Sequence, residues 1–331
     1  MRAVHMTATG GIEALEPVAV ERPEPGPGEV LVRLAAAGVN PVDTKIRQNG
    51  PFDPDAELPV ILGCDGAGTV ERVGDGVEAP SVGERVLFMD GGIGLGAGNY
   101  AEYAVVDARY VVRTPQGVAD TQAAAMPLVA LTAWEGLFDR AGLRRGERVL
   151  IHAGAGGVGH VAVQLAREAG ARVITTVSSD EKARMAQELG AEAVIRYEDE
   201  DVLEAVRRWT DGEGVDVVLD TVGGPVCSQS LHALATYGRL VTILALPEDM
   251  DWKHARLHNL VVAQELMLTP MILGRGDFRR HQTGILAECA ERLGDGRLQV
   301  RVAETYPLEQ AATAHERMEL GGVMGKLVLE I

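Results

Sequence analysis

The stretch VLIHAGAGGVGHVAVQLAREAG, residues 149 to 170, decides the fold class of this chain. It begins as an apolar strand and ends as an amphipathic helix, and the turn between them contains Gly154, Gly156 and Gly159. In a G-x-G-x-x-G spacing, the first glycine permits a tight turn, the second lets the backbone approach a pyrophosphate, and the third allows close packing of helix on strand. The N-terminus of the helix then faces the anion. The stretch predicts a dinucleotide-binding turn, although the motif alone also fits an ordinary glycine-rich turn between strand and helix.

The sequence around this motif favours the dinucleotide-binding interpretation, because apolar strands alternate with helical segments from about residue 120 onward. The predicted strands are 149 to 154, 171 to 177, 191 to 196, 215 to 220 and 238 to 244, with QELMLTPMIL (264 to 273) as a candidate sixth. This alternation predicts an α/β fold with a doubly wound, parallel, six-stranded Rossmann sheet.

The remaining sequence predicts a second domain. Residues 1 to about 120 are rich in Gly, Pro and Val and contain short alternating runs, which are typical of an antiparallel β domain. Beyond the Rossmann segment, 275 to 294 and 307 to 320 are predicted to be helical and 298 to 303 extended. The last apolar run, GKLVLEI (325 to 331), is expected to return to the first domain as a strand.

Composition limits the possible partners. The chain has 331 residues, 46% of them apolar and only 4% aromatic, and a formal charge of −17. Such an acidic chain repels phosphate backbones and anionic lipid surfaces, so small-molecule partners are expected and nucleic acid and membrane are not. Three widely separated cysteines predict a reducing compartment without disulfides. No signal-peptide pattern or long apolar run is visible, and we expect a cytoplasmic protein.

The end of the second Rossmann strand indicates which dinucleotide is bound. An acidic residue about 20 positions after the glycine motif would hold a ribose 2′-hydroxyl, whereas this region reads TTVSSDEK. Ser178, Ser179 and Lys182 suit a 2′-phosphate, and Tyr197 is expected to close over the same end, so NADPH is predicted in preference to NADH. Asp180 leaves an alternative open, because it could bind a ribose or, with the capping-box spacing of Ser178 and Glu181, belong to a helix start.

Several motifs in the same order resemble those of the medium-chain dehydrogenase/reductase superfamily, in its zinc-free quinone oxidoreductase (zeta-crystallin-like) branch. The motifs are AAAGVNPVDTKIR (35 to 47), LGCDGAGTVERVGDGV (62 to 77), YAEYAVV (100 to 106), PLVALTAWEGL (127 to 137), HAGAGGVGHVAVQLA (152 to 166), DTVGG (220 to 224) and GKLVL (325 to 329). The resemblance implies a GroES-like domain formed by 1 to 121 and 271 to 331, a Rossmann domain formed by 122 to 270, hydride transfer from a nicotinamide, and a homodimer paired through the edge of the Rossmann sheet, at 264 to 273.

Specific residues are expected to contact the cofactor. The turn predicted to hold the dinucleotide comprises Gly154, Ala155, Gly156, Gly157, Val158 and Gly159. The resemblance implies that Thr132 lies near the nicotinamide, and the backbone near Gly223 and Leu244 is expected to help position it. For Thr132, a buried helical hydroxyl that bonds back to a carbonyl is the structural alternative.

A metal is not predicted. The zinc-dependent relatives have Cys, His and Glu where this chain has Asn40, Cys64 and Asp65, and residues 88 to 115 lack the four cysteines of their structural zinc lobe. His254 and His258 have i, i+4 spacing, but the glutamate of an HExxH site is missing between them. Two partly exposed histidines are the ordinary interpretation.

The polar residues expected to act on the acceptor in place of a metal are Asn40, Asp43 and Lys45. Asn40 and Asp43 also fit a helix start, with Asn40 as N-cap and Pro41 at the first helical position. Lys45 stands where related quinone oxidoreductases often carry Tyr, and it either stabilises an oxyanion or lies in solvent. Phe52 occupies roughly the place of the proton-donating Tyr expected in enoyl-thioester reductases.

These observations predict an NADPH-dependent, zinc-independent reductase that transfers hydride to a quinone or an α,β-unsaturated carbonyl. The alternatives are an enoyl-thioester reductase and a nucleotide-binding protein without enzymatic activity.

Overall fold

The computed structural model describes residues 1 to 331, which fold into two compact units. One unit comprises Met1–Leu128 with Leu268–Ile331, and the other comprises Val129–Met267. The domain limits expected from the sequence were 1 to 121 with 271 to 331, and 122 to 270.

The chain contains sixteen strands, numbered in chain order. They are β1 Arg2–Met6, β2 Leu15–Ala19, β3 Glu29–Val39, β4 Val60–Ile61, β5 Asp65–Val73, β6 Arg85–Met89, β7 Tyr103–Asp107, β8 Val111–Arg113, β9 Arg148–Ile151, β10 Arg172–Val177, β11 Ala193–Arg196, β12 Val215–Asp220, β13 Leu234–Thr242, β14 Val261–Gln264, β15 Val302–Pro307 and β16 Lys326–Glu330.

Eleven α-helices accompany them. They are α1 Pro41–Asn49, α2 Asp120–Ala125, α3 Pro127–Trp134, α4 Gly157–Glu168, α5 Asp180–Glu188, α6 Val202–Trp209, α7 Gly224–Ser230, α8 Trp252–Leu257, α9 Thr269–Ile272, α10 Gly276–Asp295 and α11 Ala311–Glu319. None of these helices is both long and apolar enough to cross a bilayer.

The first unit is built on β3, which is the longest strand and pairs with three others. β3 lies antiparallel to β5, β7 and β16, within a larger sheet in the order β15-β16-β3-β5-β6-β8. A second, three-stranded sheet has the order β2-β1-β4. The pairing of β16 with β3 places the strand formed by GKLVLEI in this unit, as the sequence predicted, and with it the side chain of Lys326.

Close backbone approach explains one glycine of the β3 to β5 pair. A Cβ atom on Gly68 would lie 2.1 Å from the carbonyl oxygen of Arg33 and 2.8 Å from Cα of Leu34. Glycine is the residue that permits such a crossing.

The second unit is a six-stranded parallel sheet in the order β11-β10-β9-β12-β13-β14. This is the doubly wound order, in which the strand sequence reverses at the first strand, β9. Its buried strands are rich in Val, Ile and Leu because helices cover both faces of a parallel sheet. The predicted Rossmann fold is confirmed, and the carboxyl ends of β9, β10 and β12 meet at one edge.

The prediction of a strand over 264 to 273 was wrong in extent. The sixth strand is β14, Val261–Gln264, and residues 269 to 272 form the short helix α9. Pro270 has no backbone N–H to donate to a sheet, and it stands in the first turn of α9, where that N–H is not needed.

Candidate active site

The glycine-rich turn after β9 is compact and leads directly into α4. The N–H of Gly156 donates to the carbonyl of Ala153 at 2.8 Å, and α4 begins at Gly157. A Cβ atom on Gly154 would lie 2.0 Å from Oγ1 of Thr175, and one on Gly159 would lie 2.1 Å from the carbonyl oxygen of Ala153. These two glycines are therefore required by contacts within the protein.

Gly156 differs from its two neighbours in the motif. A Cβ atom here would lie 3.2 Å from the carbonyl oxygen and 3.9 Å from Cβ of Ala153, and a shift of a few tenths of an ångström would relieve the closer contact. Contacts within the protein therefore restrict this position less than they restrict Gly154 and Gly159, and in a G-x-G-x-x-G motif the second glycine is the one that lets the backbone approach a pyrophosphate. The turn residues fit a dinucleotide: Gly154, Ala155, Gly156, Gly157, Val158 and Gly159.

A cationic corner lies at the end of β10, where the sequence predicted a 2′-phosphate. Nζ of Lys182 donates to Oγ of Ser178 at 2.8 Å. Ser179, rather than Ser178, is the N-cap of α5, and its Oγ accepts from the N–H of Lys182 at 3.3 Å. The capping-box interpretation of Ser178 was wrong by one residue, which leaves the Ser178 hydroxyl beside the ammonium.

Arg196 adds a cation to this corner that the sequence reasoning missed. It is the last residue of β11 and is paired in register with Val177, the last residue of β10. Its guanidinium contacts Asp180 at 2.6 Å and Asp199 at 2.7 Å. Asp180 is thus held by an arginine, and Tyr197, the next residue, is half exposed.

The predicted nicotinamide residues Gly223 and Leu244 meet in the second unit. Gly223 has φ +78°, and a Cβ atom on it would lie 2.6 Å from Cδ1 of Leu244. Asp220, which the sequence reasoning did not single out, fixes both: its carboxylate accepts from the N–H of Gly223 at 2.9 Å and from Oγ1 of Thr242 at 2.8 Å. Thr242 in turn accepts from the N–H of Leu244 at 3.2 Å. Thr132 lies on α3 with its side chain buried.

In the first unit, Asn40 and Asp65 enclose the ammonium of Lys326. Nζ of Lys326 donates to Oδ1 of Asn40 and to the carbonyl of Val39 at 3.0 Å, and it lies 3.6 Å from Oδ2 of Asp65. Nδ2 of Asn40 donates to the same Asp65 oxygen at 2.9 Å, and the N–H of Leu128 donates to the other at 2.9 Å. Burial raises the pKa of Asp65 and lowers that of Lys326, and the attraction between the two charges opposes both shifts.

Asp43 lies at one end of a series of hydrogen bonds between buried side chains. Its Oδ2 accepts from the N–H of Asn40 at 2.8 Å and from the hydroxyl of Tyr100 at 3.1 Å. Tyr100 lies 3.2 Å from Nε2 of His315, and Nε of Arg47 lies 3.4 Å from Nδ1 of the same ring. Because arginine only donates, Nδ1 accepts, and Nε2 carries the proton that is donated to Tyr100. All members of this series have side chains removed from solvent.

Neither cation of this buried network forms an ion pair with Asp43. Lys326 lies beside Asp65, and Arg47 forms an ion pair with Glu319. Loss of hydration raises the pKa of Asp43 to about 7, with Asp65 adding to the effect, while hydrogen bonds from Asn40 and Tyr100 and the charge of Lys326 oppose it. Burial thus favours the protonated form of Asp43 to a higher pH than in an exposed aspartate.

Lys45 and Phe52 have exposed side chains, unlike Asn40 and Asp43. Helix α1 begins with Asn40 at the N-cap, Pro41 at the first position and Asp43 in the first turn. The amide of Asn40 is engaged by Asp65 and Lys326, and the carboxylate of Asp43 closes the helix start by accepting the N–H of Asn40. The residues thus serve the helix start and the buried network together.

The thiol of Cys64 is fully buried, with Sγ 3.9 Å from Oδ1 of Asp43. Burial, together with the charges of Asp43 and Asp65, raises the pKa of Cys64 well above its usual value. A reactive thiolate needs a cationic, accessible environment, so Cys64 serves as a small packing residue here.

The residues at the zinc-ligand positions of the relatives do not fit a metal ion. No three His, Cys, Asp or Glu side chains converge on one point in the chain. The place between Asn40 and Asp65 belongs to the Lys326 ammonium. On the surface of the second unit, the rings of His254 and His258 stack at 4.3 Å, and that of His232 lies 4.2 Å from His254.

Two family models match the chain. One described as alcohol dehydrogenase GroES-like domain matches residues 26 to 116, and one described as zinc-binding dehydrogenase matches residues 189 to 329. The geometry between Asn40, Cys64, Asp65 and Lys326 separates this chain from the zinc-binding members that give the second model its description.

Curated relatives match nearly the whole chain. A quinone oxidoreductase of Pseudomonas aeruginosa is 36% identical over 99% of both chains. A 2-haloacrylate reductase of a Burkholderia species is 35% identical over 92% of this chain and 91% of its own length. A mycocerosic acid synthase-like polyketide synthase of Mycobacterium tuberculosis is 35% identical over 97% of this chain, which spans only 15% of that protein.

Solved structures agree with this fold over the full chain. The quinone oxidoreductase of Escherichia coli in complex with NADPH has a TM-score of 0.88 at 30% identity, with 100% of both chains covered. An NAD-dependent alcohol dehydrogenase has a TM-score of 0.91 at 33% identity, again with 100% of both chains covered.

Proposed function

Because the chain belongs to the zinc-free quinone oxidoreductase branch of the medium-chain dehydrogenase/reductase superfamily, and is therefore an oxidoreductase, we propose that it is an NADPH-dependent reductase of quinones or α,β-unsaturated carbonyls. The observation that carries the choice of NADPH is the cationic corner at the end of β10. There Lys182 donates to Ser178, and Arg196 pairs with Asp180, the acid that would otherwise oppose a phosphate, as well as with Asp199. The NADPH complex of the E. coli relative supports this choice.

The main contribution of the protein to the reaction is orientation. When bound, the nicotinamide supplies the hydride. In our proposal the turn from Gly154 to Gly159 holds the pyrophosphate. The 2′-phosphate end is held by Ser178, Ser179, Lys182 and Tyr197. The nicotinamide is positioned by Thr132, Gly223 and Leu244. The Asp220 carboxylate keeps the last two in place through hydrogen bonds within the second unit.

The acceptor proposal rests on the chemistry of the residues rather than on a metal. A secondary alcohol needs a Lewis acid or a base to stabilise its alkoxide, whereas a quinone or an activated alkene accepts hydride directly. Lys45 is the exposed cation proposed to stabilise the oxyanion that forms on an enone, and the buried Asn40 and Asp43 are the other polar residues proposed to act on the acceptor. For a quinone, protonation by solvent completes the reaction.

An enoyl thioester is the second candidate acceptor. The observation that favours it is the 35% identity of this chain to segments of polyketide synthases, over 97% of its length. A homodimer and a cytoplasmic location also remain proposals, the latter because the three cysteines are unpaired and buried.

The test of the proposed function is the consumption of NADPH, followed at 340 nm, with four acceptors in parallel. These are an ortho-quinone, a simple enone, 2-chloroacrylate and a crotonyl thioester. We expect turnover with the quinone or the enone, and preference for the thioester would select the second candidate. Protein that binds NADPH but oxidises it with none of the four would contradict both.

The cofactor assignment predicts that Lys182→Ala weakens NADPH binding and leaves NADH binding unchanged. Losing a hydrogen-bonded charge opposite the 2′-phosphate corresponds to about a tenfold rise in the NADPH dissociation constant. Calorimetric titration of both dinucleotides measures this, with Lys253→Ala, an exposed lysine of α8, as the matched control. Equal affinities of the parent protein for NADPH and NADH would refute the 2′-phosphate site.

A further inference from the structure

His152 is a buried imidazole that none of the roles above uses. It is the first residue after β9 and stands two positions before Gly154, the first glycine of the turn. Only 4% of its surface is exposed. A fully enclosed polar ring at this position requires partners, because an unpaired nitrogen in the interior is costly.

Both ring nitrogens have a hydroxyl partner, and the partners fix the tautomer. Oγ of Ser230 donates to the carbonyl of Val226 at 2.7 Å, so it accepts from Nε2 of His152 at 2.9 Å. Nε2 therefore carries the proton, and Nδ1 accepts from Oγ1 of Thr176 at 3.1 Å. Burial lowers the pKa of His152 to about 4, against the opposing charge of Asp220, so the ring is neutral at physiological pH.

Thr176 also forms hydrogen bonds with the backbone of the glycine-rich turn. Its Oγ1 accepts from the N–H of Ala153 at 3.1 Å, and its carbonyl accepts from the N–H of Gly154 at 3.1 Å. Ala153 has φ +52°, a left-handed conformation that non-glycine residues rarely adopt and that surrounding contacts must hold. The two hydrogen bonds that Thr176 accepts therefore help to hold the strained start of the turn.

The backbone of His152 also forms hydrogen bonds with residues at the carboxyl end of β12. Its N–H donates to the carbonyl of Leu219 at 3.0 Å, and its carbonyl accepts from Oγ1 of Thr221 at 2.8 Å. His152 thus connects the carboxyl ends of β10 and β12 and the helix α7, which carries Ser230, to the end of β9. An apolar side chain of the same size could fill the space, but it could not orient the Thr176 hydroxyl.

We propose that His152 is a positioning residue for the dinucleotide, acting through Thr176 to hold residues 153 to 156 in the geometry that receives a pyrophosphate. This inference rests on the proposed function only in taking a dinucleotide as the ligand. The pyrophosphate is common to NADPH, NADH and ADP-ribose and absent from adenosine 2′-phosphate. Loss of the imidazole should therefore weaken the first three ligands by a similar factor and spare the fourth.

The experiment compares His152→Phe, Thr176→Val and the double variant with the parent protein in calorimetric titrations of the four ligands. We expect each single variant to weaken NADPH, NADH and ADP-ribose about tenfold, as for the loss of an oriented hydrogen bond. The double variant should lose no more than either single variant, because the two side chains act in series. Thr176→Ser, which keeps the hydroxyl, is the conservative control and should bind like the parent.

Melting temperatures measured on the same samples separate positioning from stability. A lower melting temperature with unchanged affinity for ADP-ribose would overturn the proposal and make His152 a purely structural residue. A loss confined to NADPH would also overturn it and point to the cationic corner instead. If His152→Phe fails to fold, Ser230→Ala, which removes the acceptor of Nε2 and keeps the imidazole, provides the same comparison. A parent protein that binds none of the dinucleotides would refute the proposed function rather than this inference.

Discussion

Lys326 is a lysine whose side chain is almost completely buried in the first unit. Its ammonium is 2% exposed and is held by Asn40, Asp65 and the carbonyl of Val39. Removing one partner of a buried ion pair leaves an uncompensated charge, whereas removing both often costs little. The pair therefore makes the side chains mutually dependent without adding much net stability.

This dependence predicts the outcome of a double-mutant cycle. Lys326→Met and Asp65→Asn should each lower the free energy of unfolding by about 3 to 5 kcal/mol, because each leaves the other charge buried alone. The double variant should lose clearly less than the sum, and urea denaturation measures all three. Lys253→Met, an exposed lysine, is the control and should stay within about 0.5 kcal/mol of the parent. Additive losses would contradict an ionic coupling between the two residues.

The raised pKa of Asp43 predicts an unusual dependence of stability on pH. Its pKa is about 7 in the folded protein against 3.8 in the unfolded chain, so the folded state binds the extra proton between these values. The contribution of Asp43 to the free energy of unfolding therefore falls as pH rises from about 4 to 7 and stays level above. Asp43→Asn keeps the shape and removes this term, on the order of a few kcal/mol over the whole interval.

The measurement is the difference in free energy of unfolding between parent and Asp43→Asn at several pH values. The difference should shift in favour of the variant as pH rises to about 7. Two buried histidines act in the opposite direction in both proteins: the pKa of His152 is lowered to about 4 and that of His315 to about 3, so stability declines below about pH 6.5. A difference that does not change between pH 4 and 7 would show that Asp43 is ionised throughout.

Sequence reasoning reached Asn40, Asp43, Cys64 and Asp65 because they belong to two recognisable motifs. It could not find the rest of the buried network, because Lys326 bonds Asn40 from 286 positions away and His315 bonds Tyr100 from 215 positions away. GKLVL was interpreted only as a strand, since its apolar residues dominate the pattern. The position of the Lys326 side chain is set by the register of β16 on β3, and a single sequence does not reveal that register.

At the scale of elements, the turn between β9 and α4 contains two glycines that packing requires, Gly154 and Gly159, and one, Gly156, that we assign to ligand binding. Gly159→Ala would press a methyl group against the carbonyl of Ala153, whereas Gly156→Ala meets that atom only at 3.2 Å. The sequence motif treats these positions alike, and only the distances distinguish them.

This difference predicts opposite effects of the same substitution. Gly159→Ala should lower the free energy of unfolding by about 1 to 3 kcal/mol through overpacking. Gly156→Ala should leave the melting temperature close to that of the parent and weaken NADPH and ADP-ribose at least tenfold, because the methyl group lies where the pyrophosphate approaches. Thermal unfolding and ligand titration of both variants measure this. Full ligand affinity in Gly156→Ala would mean that the pyrophosphate lies elsewhere.

Element boundaries at the end of the Rossmann segment show where sequence patterns become ambiguous. The run ELMLTPMIL is apolar enough for a strand or a buried helix, and periodicity does not separate the two in so short a segment. Pro270 was the available signal against a strand, and the structure uses it to begin α9. The first five strands, by contrast, were located correctly, with ends that differ by up to four residues, because each is flanked by a clear helical pattern.

At the scale of the whole molecule, β14 presents an edge that a second copy could pair with. It ends the six-stranded sheet, and Val261 is 53% exposed. An apolar edge strand without a partner favours pairing with another chain. We therefore place the proposed homodimer contact at Val261–Gln264, rather than over the full 264 to 273 segment.

This placement predicts that Val261→Lys weakens the dimer, because an inserted charge on an edge strand opposes strand pairing. Light scattering after size-exclusion chromatography measures the mass, and we expect the variant to dissociate at concentrations where the parent remains a dimer. Leu320→Lys, at a 78% exposed position of the first unit, is the matched control. A variant that keeps the parent's mass would exclude β14 as the contact.

The pairing of β16 with β3 has a consequence for the order in which the protein is made. Residues 129 to 267 are contiguous, so the second unit has its whole sequence once they leave the ribosome. The first unit must wait, because Lys326–Glu330 supplies a strand between β3 and β15 and the ammonium beside Asp65. Until that last strand is translated, the carboxylate of Asp65 has no Lys326 beside it, and the nascent first unit cannot close its core.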